Sequence, residues 1–190
     1  MKWMEDRILQ EGRRTAEGIL KVDTFLNHQV DVALVRKMAE AYREHFKDAE
    51  ITKVLTVEAS GVPIAFATAE AFGVPMVFAK KSKSNNLDGD IYRAEVYSYT
   101  YDRLYDIMVD REVLGEEDTV LLVDDFLANG QAMKGLITIC EQAGADVAGI
   151  AIGIEKAFQP GGADLRAEGY DVFSLSRVSQ LDEDKIIFAD

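Results

Sequence analysis

The chain is poor in cysteine, proline and positive charge. Its 190 residues include one cysteine, Cys140, and three prolines. A single cysteine cannot form a disulfide within the chain, which is typical of proteins of the reducing cytoplasm. Basic residues number 21 against 34 acidic ones, and the net charge of −13 repels DNA and RNA. We therefore expect a cytoplasmic protein that has no nucleic-acid partner.

The chain also lacks an uninterrupted apolar run long enough to cross a membrane. The longest candidate, residues 61–79, contains Glu70 and is broken by Gly73 and Pro75. The amino terminus carries acids and arginines where a signal peptide needs an apolar core. We expect neither export nor a membrane partner, and a single domain that spans residues 1–190.

Apolar segments of two kinds alternate along the chain. Helical patterns occupy residues 1–17, 32–46, 62–72 and 131–143, and short β-rich runs occupy residues 53–57, 75–79, 91–102, 103–114, 119–123, 147–155 and about 170–178. Residues 19–29 are irregular or extended, and residues 80–90 form a polar loop. This alternation predicts an α/β fold with an open, mainly parallel twisted sheet flanked by helices.

Three polar clusters follow predicted strands of this sheet. They are residues 58–61 (EASG), residues 124–132 (DDFLANGQA) and residues 155–158 (EKAF). Ligands of open α/β sheets bind beyond the carboxyl ends of the strands, where these clusters would meet. We therefore group them as one candidate site.

The second cluster begins with two adjacent carboxylates, Asp124 and Asp125. Like charges repel each other unless a divalent cation or a pair of hydroxyls shares them. The residues that follow are small, with Gly130 at the start of a predicted helix, so backbone N–H groups can bind a phosphate there. A diol beside a phosphate describes a ribose 5-phosphate. The simpler alternative, left open by the spacing, is that the two acids end the strand and cap the helix.

An acidic pair followed by A-N-G-Q-A resembles the phosphoribosyl-diphosphate motif of the type I phosphoribosyltransferases. Further segments in the same order are similar to the bacterial xanthine phosphoribosyltransferases over essentially the whole chain. These segments are residues 20–29 (LKVDTFLNHQ), residues 58–61 and residues 154–162 (IEKAFQPGG). The resemblance implies a mobile flap, at residues 81–90 and 92–101, and a small hood over the base site. The hood would comprise roughly residues 1–30 and a C-terminal segment.

The resemblance also implies an activity. It is transfer of the phosphoribosyl group of 5-phospho-α-D-ribose 1-diphosphate to xanthine, which yields xanthosine 5′-monophosphate and pyrophosphate. Mg²⁺ would be the cofactor and a homodimer the assembly. One alternative is transfer to another purine such as guanine or hypoxanthine. The other is a regulator that only senses phosphoribosyl diphosphate, but residues 1–30 are too few for the DNA-binding module that a regulator needs.

Site residues of the sugar donor follow from the same resemblance. Asp124 and Asp125 would hold the ribose hydroxyls, directly or through Mg²⁺. The 5-phosphate would be bound by Ala128, Asn129, Gly130, Gln131 and Ala132. Relatives that act on hypoxanthine and guanine carry an acid at the place of Ala128, so this motif supplies no general base.

Pyrophosphate would be bound by Ser60, Gly61 and Lys81. The simpler interpretations are that Ser60 caps the next helix and that Lys81 is a solvated loop residue, with Lys80 beside it. On the base side, Leu20 and Asn27 would belong to the hood, Lys156 would face the exocyclic oxygens of the purine, and Phe158 would stack on its ring. Taken alone, a lysine after a strand is usually solvated and a phenylalanine usually lies in the core.

Overall fold

An eight-stranded sheet forms the centre of the computed structural model, which describes residues 1–15, 19–82, 90–98, 103–182 and 185–189. The helices of these residues are α1 (Lys2–Glu11), α2 (Val32–His45), α3 (Val62–Phe72), α4 (Gln131–Ala143) and α5 (Gly161–Ala167). The strands are β1 (Arg13–Arg14), β2 (Leu20–Lys21), β3 (Lys53–Val57), β4 (Met76–Ser82), β5 (Ile91–Ser98), β6 (Arg103–Asp110), β7 (Thr119–Leu127), β8 (Asp146–Lys156), β9 (Val172–Leu181) and β10 (Ile186–Phe188).

The sheet has a parallel centre and antiparallel edges. Its strand order is β10-β9-β8-β7-β3-β4-β6-β5, and the five strands from β9 to β4 pair in parallel. The pairs β10 with β9, β4 with β6 and β5 with β6 are antiparallel. The open, mainly parallel sheet predicted from the sequence is therefore confirmed.

The strand order reverses direction between β3 and β7. From β3 the chain proceeds outward to β4, whereas from β7 it proceeds the other way to β8 and β9. Connections on the two sides of such a point diverge and leave a crevice at the carboxyl ends of the strands, which is where open α/β sheets bind ligands.

Apolar side chains of β7 pack on both faces of the sheet. Leu121 and Val123 belong to the core cluster that contains residues of α2 and α3, and Val120 and Leu122 belong to the cluster that contains residues of α4. Alternate residues of a strand point to opposite faces, so a central strand covered on both sides reads as a continuous apolar run. The run at residues 119–123 reflects this double burial.

Several predicted helix boundaries are confirmed. Asp31 caps α2 by accepting a hydrogen bond from the Leu34 N–H at 3.1 Å. Gly73, with φ +72°, ends α3, and Gly144, with φ +72°, ends α4. No helix in the described part of the chain is both long and apolar enough to span a membrane.

Other boundaries were wrong. The first helix ends at Glu11 instead of residue 17, because the chain turns at Gly12 and β1 pairs with β2. The irregular segment at 19–29 contains β2 and a π-helical turn, Asp23–Asn27. Helix α5 and strand β10 were not predicted.

The polar segment at residues 80–90 was predicted as a loop, but its first part is a strand. Residues 80–82 continue β4 and pair with β6, since Lys81 lies opposite Ile107. Residues 83–89 and 99–101 of the predicted flap lie outside the described residues.

Candidate active site

Asp124 and Asp125 lie within β7, in the middle of the sheet. The strand was predicted to end at residue 123, but it continues to Leu127, which pairs with Glu155 of β8. The two acidic residues are 7% and 9% exposed. Parallel pairing on both sides of β7 therefore holds two carboxylates away from bulk water, beside the crevice where the strand order reverses.

The pKa of the Asp124 carboxyl is raised well above its ordinary value. Burial is the largest cause, and the negative charge of Asp125 adds to it. The backbone N–H of Asp125 donates to Asp124 Oδ1 at 3.0 Å, and this bond and the Lys81 charge offset only part of the rise. A cation or a hydroxyl donor beside Asp124 would stabilise its charged form.

Residues 128–130 form the turn between β7 and α4. Gly130 has φ +78°, which strains any residue with a side chain, and α4 begins at Gln131. Among the described residues, no side chain caps the start of α4, so the alternative that Asp124 and Asp125 cap this helix was wrong. An uncapped helix start leaves N–H groups for an anion.

A cavity of about 220 Å³ joins Asp124 to this turn, and Asp125 does not line it. Its walls are formed by Asp124, Phe126 and Leu127 of β7, by Ala128, Asn129, Gly130, Gln131, Ala132 and Met133, and by Val96, Tyr97 and Tyr105 of β5 and β6. The structure thus brings Asp124 and the five predicted phosphate residues to one cavity. Sequence reasoning missed Phe126 and Tyr105, although Phe126 lies inside the motif itself.

The start of α5 packs against the turn at residues 128–130. The Gly161 N–H donates to the Ala128 carbonyl at 3.1 Å. A Cβ on Gly161 would lie 2.5 Å from Ala128 O and 2.5 Å from Gly130 N, so only glycine permits this approach. The turn is therefore held from behind by backbone contacts.

Residues 58–61 form the turn between β3 and α3, on the other side of Asp124. A Cβ on Gly61 would lie 2.8 Å from Asp124 Oδ1 and would overlap the hydroxyl of Thr56. Gly61 itself precedes the first turn of α3, and no side chain of the described residues caps this helix, so the alternative that Ser60 is the cap was wrong. The peptide bond between Glu58 and Ala59 is cis.

Lys81 is tied to this second turn. Its backbone N–H donates to Glu58 Oε1 at 2.6 Å, and its Nζ lies 5.3 Å from the centre of the Tyr105 ring. Its charge lowers the pKa of Asp124, so it acts on one of the two carboxylates. Lys80 lines a separate groove with Met76, and the structure does not bring it to this cavity.

Lys156 ends β8, the strand beside β7. It is partly buried, and burial lowers its pKa while the charge of Asp125 opposes that change. Its Nζ lies 5.7 Å from the centre of the Phe126 ring. Phe158, predicted to stack on the purine, is 47% exposed. The described structure thus places Lys156 near both Asp125 and an aromatic ring that was not predicted.

The two predicted hood residues lie in the amino-terminal segment. Leu20 is 5% exposed and belongs to the core cluster that also contains Phe25. Asn27 ends the π-helical turn, and its buried Oδ1 accepts no hydrogen bond from the described residues. A buried amide oxygen without a donor is unusual in folded proteins.

The described residues contain no preformed metal cluster at this site. Across the described residues, no group of three or more histidine, cysteine or acidic side chains is arranged to hold a metal ion. The two carboxylates at residues 124 and 125 are hard oxygen ligands of the kind that Mg²⁺ prefers. These two side chains alone are too few to form a complete metal site.

A sequence profile of the Phosphoribosyl transferase domain matches residues 21–180. The chain belongs to the phosphoribosyltransferase family. The resemblance stated from the sequence is thereby confirmed, and the match covers both turns of the candidate site as well as Lys156.

Relatives that are about 50% identical to this phosphoribosyltransferase are named xanthine phosphoribosyltransferases. The xanthine phosphoribosyltransferase of Finegoldia magna is 50% identical over 190 residues, all of both chains. That of Bifidobacterium adolescentis is 54% identical over 183 residues, 96% of this chain and 95% of the relative. The likeness extends from end to end and confirms the similarity to xanthine phosphoribosyltransferases.

Solved structures share the fold at lower identity. The adenine phosphoribosyltransferase of Giardia lamblia in complex with 9-deazaadenine is 25% identical, with a TM-score of 0.77 over 93% of this chain and 98% of that one. The adenine phosphoribosyltransferase of Rhodothermus marinus is 24% identical, with a TM-score of 0.76 over 94% of this chain and 100% of that one. These neighbours confirm a phosphoribosyltransferase fold.

Proposed function

We propose that this chain transfers the phosphoribosyl group of 5-phospho-α-D-ribose 1-diphosphate to N9 of xanthine. The products are pyrophosphate and xanthosine 5′-monophosphate. The observation that carries the proposal is the cavity in which Asp124 meets the turn at residues 128–132. The full-length likeness to xanthine phosphoribosyltransferases supports the choice of base.

The sugar donor is bound by two kinds of group. Asp124 and Asp125 accept hydrogen bonds from the ribose hydroxyls, which relieves the repulsion between the two carboxylates. The 5-phosphate lies at the start of α4, where backbone N–H groups of residues 128–132 donate to its oxygens. Bond cleavage at C1 leaves positive charge on the sugar ring, and the buried carboxylates stabilise that charge in a site already organised for it.

Pyrophosphate leaves toward the turn at residues 58–61. Small residues there, Ser60 and Gly61, allow backbone N–H groups to approach its oxygens, and Lys81 adds positive charge. The hydrogen bond from the Lys81 N–H to Glu58 supports this assignment, because it joins β4 to that turn.

Lys156 selects the base. Xanthine carries an oxygen at C2 where guanine has an amino group, so a donor at that edge favours xanthine. Lys156 also favours the xanthine anion, through a charge-assisted hydrogen bond worth about 1.5–3 kcal/mol. Because xanthine loses a proton readily, Ala128 need not be an acid. Leu20 and Asn27 cover the purine, and Phe158 closes on its ring.

We also propose that Mg²⁺ is required. The donor is a polyanion that enters a chain of net charge −13, and two buried carboxylates flank its ribose. Asp124 and Asp125 would hold the ion directly or through water, and the ion would neutralise the diphosphate oxygens. Turnover that persists in excess chelator, after dialysis, would refute the requirement.

The assembly is proposed to be a homodimer in the cytoplasm. Val32 and Phe66, 59% and 64% exposed, line an apolar groove of about 370 Å³ between α2 and α3. Light scattering should give twice the chain mass, and Phe66→Glu should give a monomer. Leu9→Glu, at a residue 53% exposed on α1, is the matched control. The free thiol of Cys140 agrees with a reducing compartment.

A screen of four bases tests the function. Pyrophosphate release is measured with phosphoribosyl diphosphate and xanthine, guanine, hypoxanthine or adenine. We expect kcat/KM to fall in the order xanthine, guanine, hypoxanthine, with adenine unused. A chain that prefers adenine, or that uses none of these bases, would overturn the proposal.

A further inference from the structure

Glu155 is a buried carboxylate at the base side of the candidate site. It precedes Lys156 at the end of β8 and is 1% exposed. Arg166 of α5 donates to its two oxygens at 2.8 Å and 2.7 Å, and Ser174 of β9 donates at 2.6 Å. Arg177 Nε lies 3.4 Å from Glu155 Oε2. One carboxylate therefore joins β8, α5 and β9.

The cluster is charged in the folded chain. Burial opposes ionisation of Glu155, but the hydrogen bonds from Arg166 and Ser174 and the charges of Arg166 and Arg177 together outweigh burial, and the pKa of the carboxyl is lowered. Burying an ion pair costs desolvation free energy, and well-packed apolar groups are often at least as stable in its place. A contribution to stability is therefore a weak explanation for the presence of this cluster. Its contacts with neighbouring elements indicate what else it does.

A chain of close contacts leads from Glu155 to the turn at residues 128–130. A Cβ on Gly162 would overlap Glu155 Oε1, so this glycine rests directly on the carboxylate. The preceding residue, Gly161, has its Cα against Gly130 and donates its N–H to Ala128 O at 3.1 Å. The first residues of α5 are thus packed between the carboxylate and the turn, with no side chain to absorb a displacement.

Lys156 leaves the same end of β8. The turn that follows it is fixed by backbone hydrogen bonds, from Ala157 N to Val178 O at 2.7 Å and from Gln159 N to Lys156 O at 2.8 Å. Val178 belongs to β9, the strand that also carries Ser174. The carboxylate cluster therefore lies beneath both the turn that meets the phosphate and the lysine that meets the base.

We propose that Glu155 is a positioning residue for the sugar donor: held by Arg166 and Ser174, it sets the turn at residues 128–130 through Gly162 and Gly161. The inference rests on the proposed function only for the identity of the donor. Glu155 touches neither substrate. Its effect is transmitted by backbone that is packed too closely to adjust, and displacement of phosphate-binding N–H groups by a fraction of an ångström weakens a site that is already organised.

The competing account is that the cluster only holds the fold together. Asp118 provides a matched comparison at the opposite end of the sheet. It accepts from Lys53 Nζ at 2.7 Å, from Gly115 N at 3.0 Å and from Thr52 Oγ1 at 3.1 Å, and it precedes β7. Its side chain is 14% exposed. Asp118→Asn therefore removes a comparable buried ion pair without touching α5 or the turn.

Three variants change the cluster in different ways. Glu155→Gln removes the charge, Ser174→Ala removes one hydrogen bond, and Gly162→Ala inserts a methyl group between the carboxylate and α5. Each is compared with Asp118→Asn by thermal unfolding, by KM for phosphoribosyl diphosphate, and by calorimetric binding of ribose 5-phosphate. The binding measurement needs no turnover, so it reports the effect on the turn at residues 128–130 even if xanthine is not the base that the chain uses.

We expect the three variants to weaken ribose 5-phosphate binding and to raise the donor KM about tenfold, with a smaller change in kcat. Asp118→Asn should lower the unfolding temperature and leave binding unchanged. Variants that are destabilised like Asp118→Asn but bind ribose 5-phosphate within about twofold of wild type would overturn the inference. If Glu155→Gln does not fold, Ser174→Ala and Gly162→Ala decide by the same criterion.

Discussion

Gly61 lies against Asp124, and a Cβ on this glycine would stand 2.8 Å from the Asp124 Oδ1 atom. The two residues belong to different elements of the candidate site, since Gly61 lies in the turn after β3 and Asp124 lies within β7. These strands are parallel neighbours at the point where the strand order reverses. The pyrophosphate side and the ribose side of the proposed site are therefore in direct contact.

Gly61→Ala should disturb both sides at once. The new methyl group overlaps the Thr56 hydroxyl and presses on Asp124, so one of the two must move. We expect the donor KM to rise about tenfold or more. Gly115→Ala is the control, because a Cβ there has no neighbour within 4 Å. Equal kinetics in the two variants would refute the contact as a determinant of donor binding.

Asp124→Asn should reduce activity and increase stability. A raised pKa means that the folded chain holds the Asp124 proton more tightly than the unfolded chain does. The stability that the bound Asp124 proton contributes to the wild-type protein is therefore lost as pH rises from about 3.8 through the folded-state pKa. The asparagine variant has no such proton and does not lose stability in this way. Denaturant unfolding at several pH values measures this difference.

The pH profile supplies its own control. Asp146→Asn, at the exposed start of β8, should leave the donor KM unchanged. Asp124→Asn should show a higher free energy of unfolding than wild type at neutral pH, and this gain should shrink toward acid. A gain that is the same at every pH would contradict the assigned cause.

Gly130→Ala should weaken donor binding more than it weakens folding. Gly130 and Gly73 have φ +78° and +72°, so alanine costs about 1–2 kcal/mol of backbone strain at either position. Only at Gly130 does the added Cβ also meet Gly161, at 3.1 Å, whereas at Gly73 it meets no atom within 4 Å. Ribose 5-phosphate binding should be lost in the first variant and retained in the second. Loss in both would mean that backbone strain alone is responsible.

Lys156→Met should narrow the preference for xanthine while the donor KM is retained. The cation favours the xanthine anion, and burial lowers the pKa of this lysine. In wild type, kcat/KM for xanthine should decline as pH rises through that lowered pKa, and the decline should be absent in Lys156→Met. Asn27→Leu should narrow the preference without changing the pH profile. Unchanged preference in both variants would sink this account of specificity.

The parallel centre of the fold and the turn at residues 128–130 could be predicted because local signals agree there. The apolar run at residues 119–123 indicates burial. The glycines at 73, 130 and 144 indicate positions where φ is positive. Lys81 was wrongly placed in a loop because the local sequence signal there is misleading. Residues 80–82 are polar, and only pairing with β6, a contact remote in sequence, makes them a strand.

Helix α5 escaped prediction because its sequence, GGADLRA, is a weak helix former. Its position is set by packing, because Gly161 contacts the turn at residues 128–130 and Arg166 binds Glu155. The base side was likewise harder to predict than the sugar side. Phe126 approaches Lys156 from the neighbouring strand, which neither the spacing nor the family motif reveals.

The parallel register of β7 and β8 places the residues proposed for the sugar and for the base on two neighbouring strands. Asp124 lies opposite Ile152 and Leu127 lies opposite Glu155, so the groups proposed for the sugar and for the base occupy adjacent strands about 4.8 Å apart. The distance between the proposed ribose and purine sites is thus fixed by the spacing of the strands. If the proposed roles hold, substitutions at the end of β8 and in the amino-terminal segment would change the base that is used and leave the proposed sugar site on β7 intact.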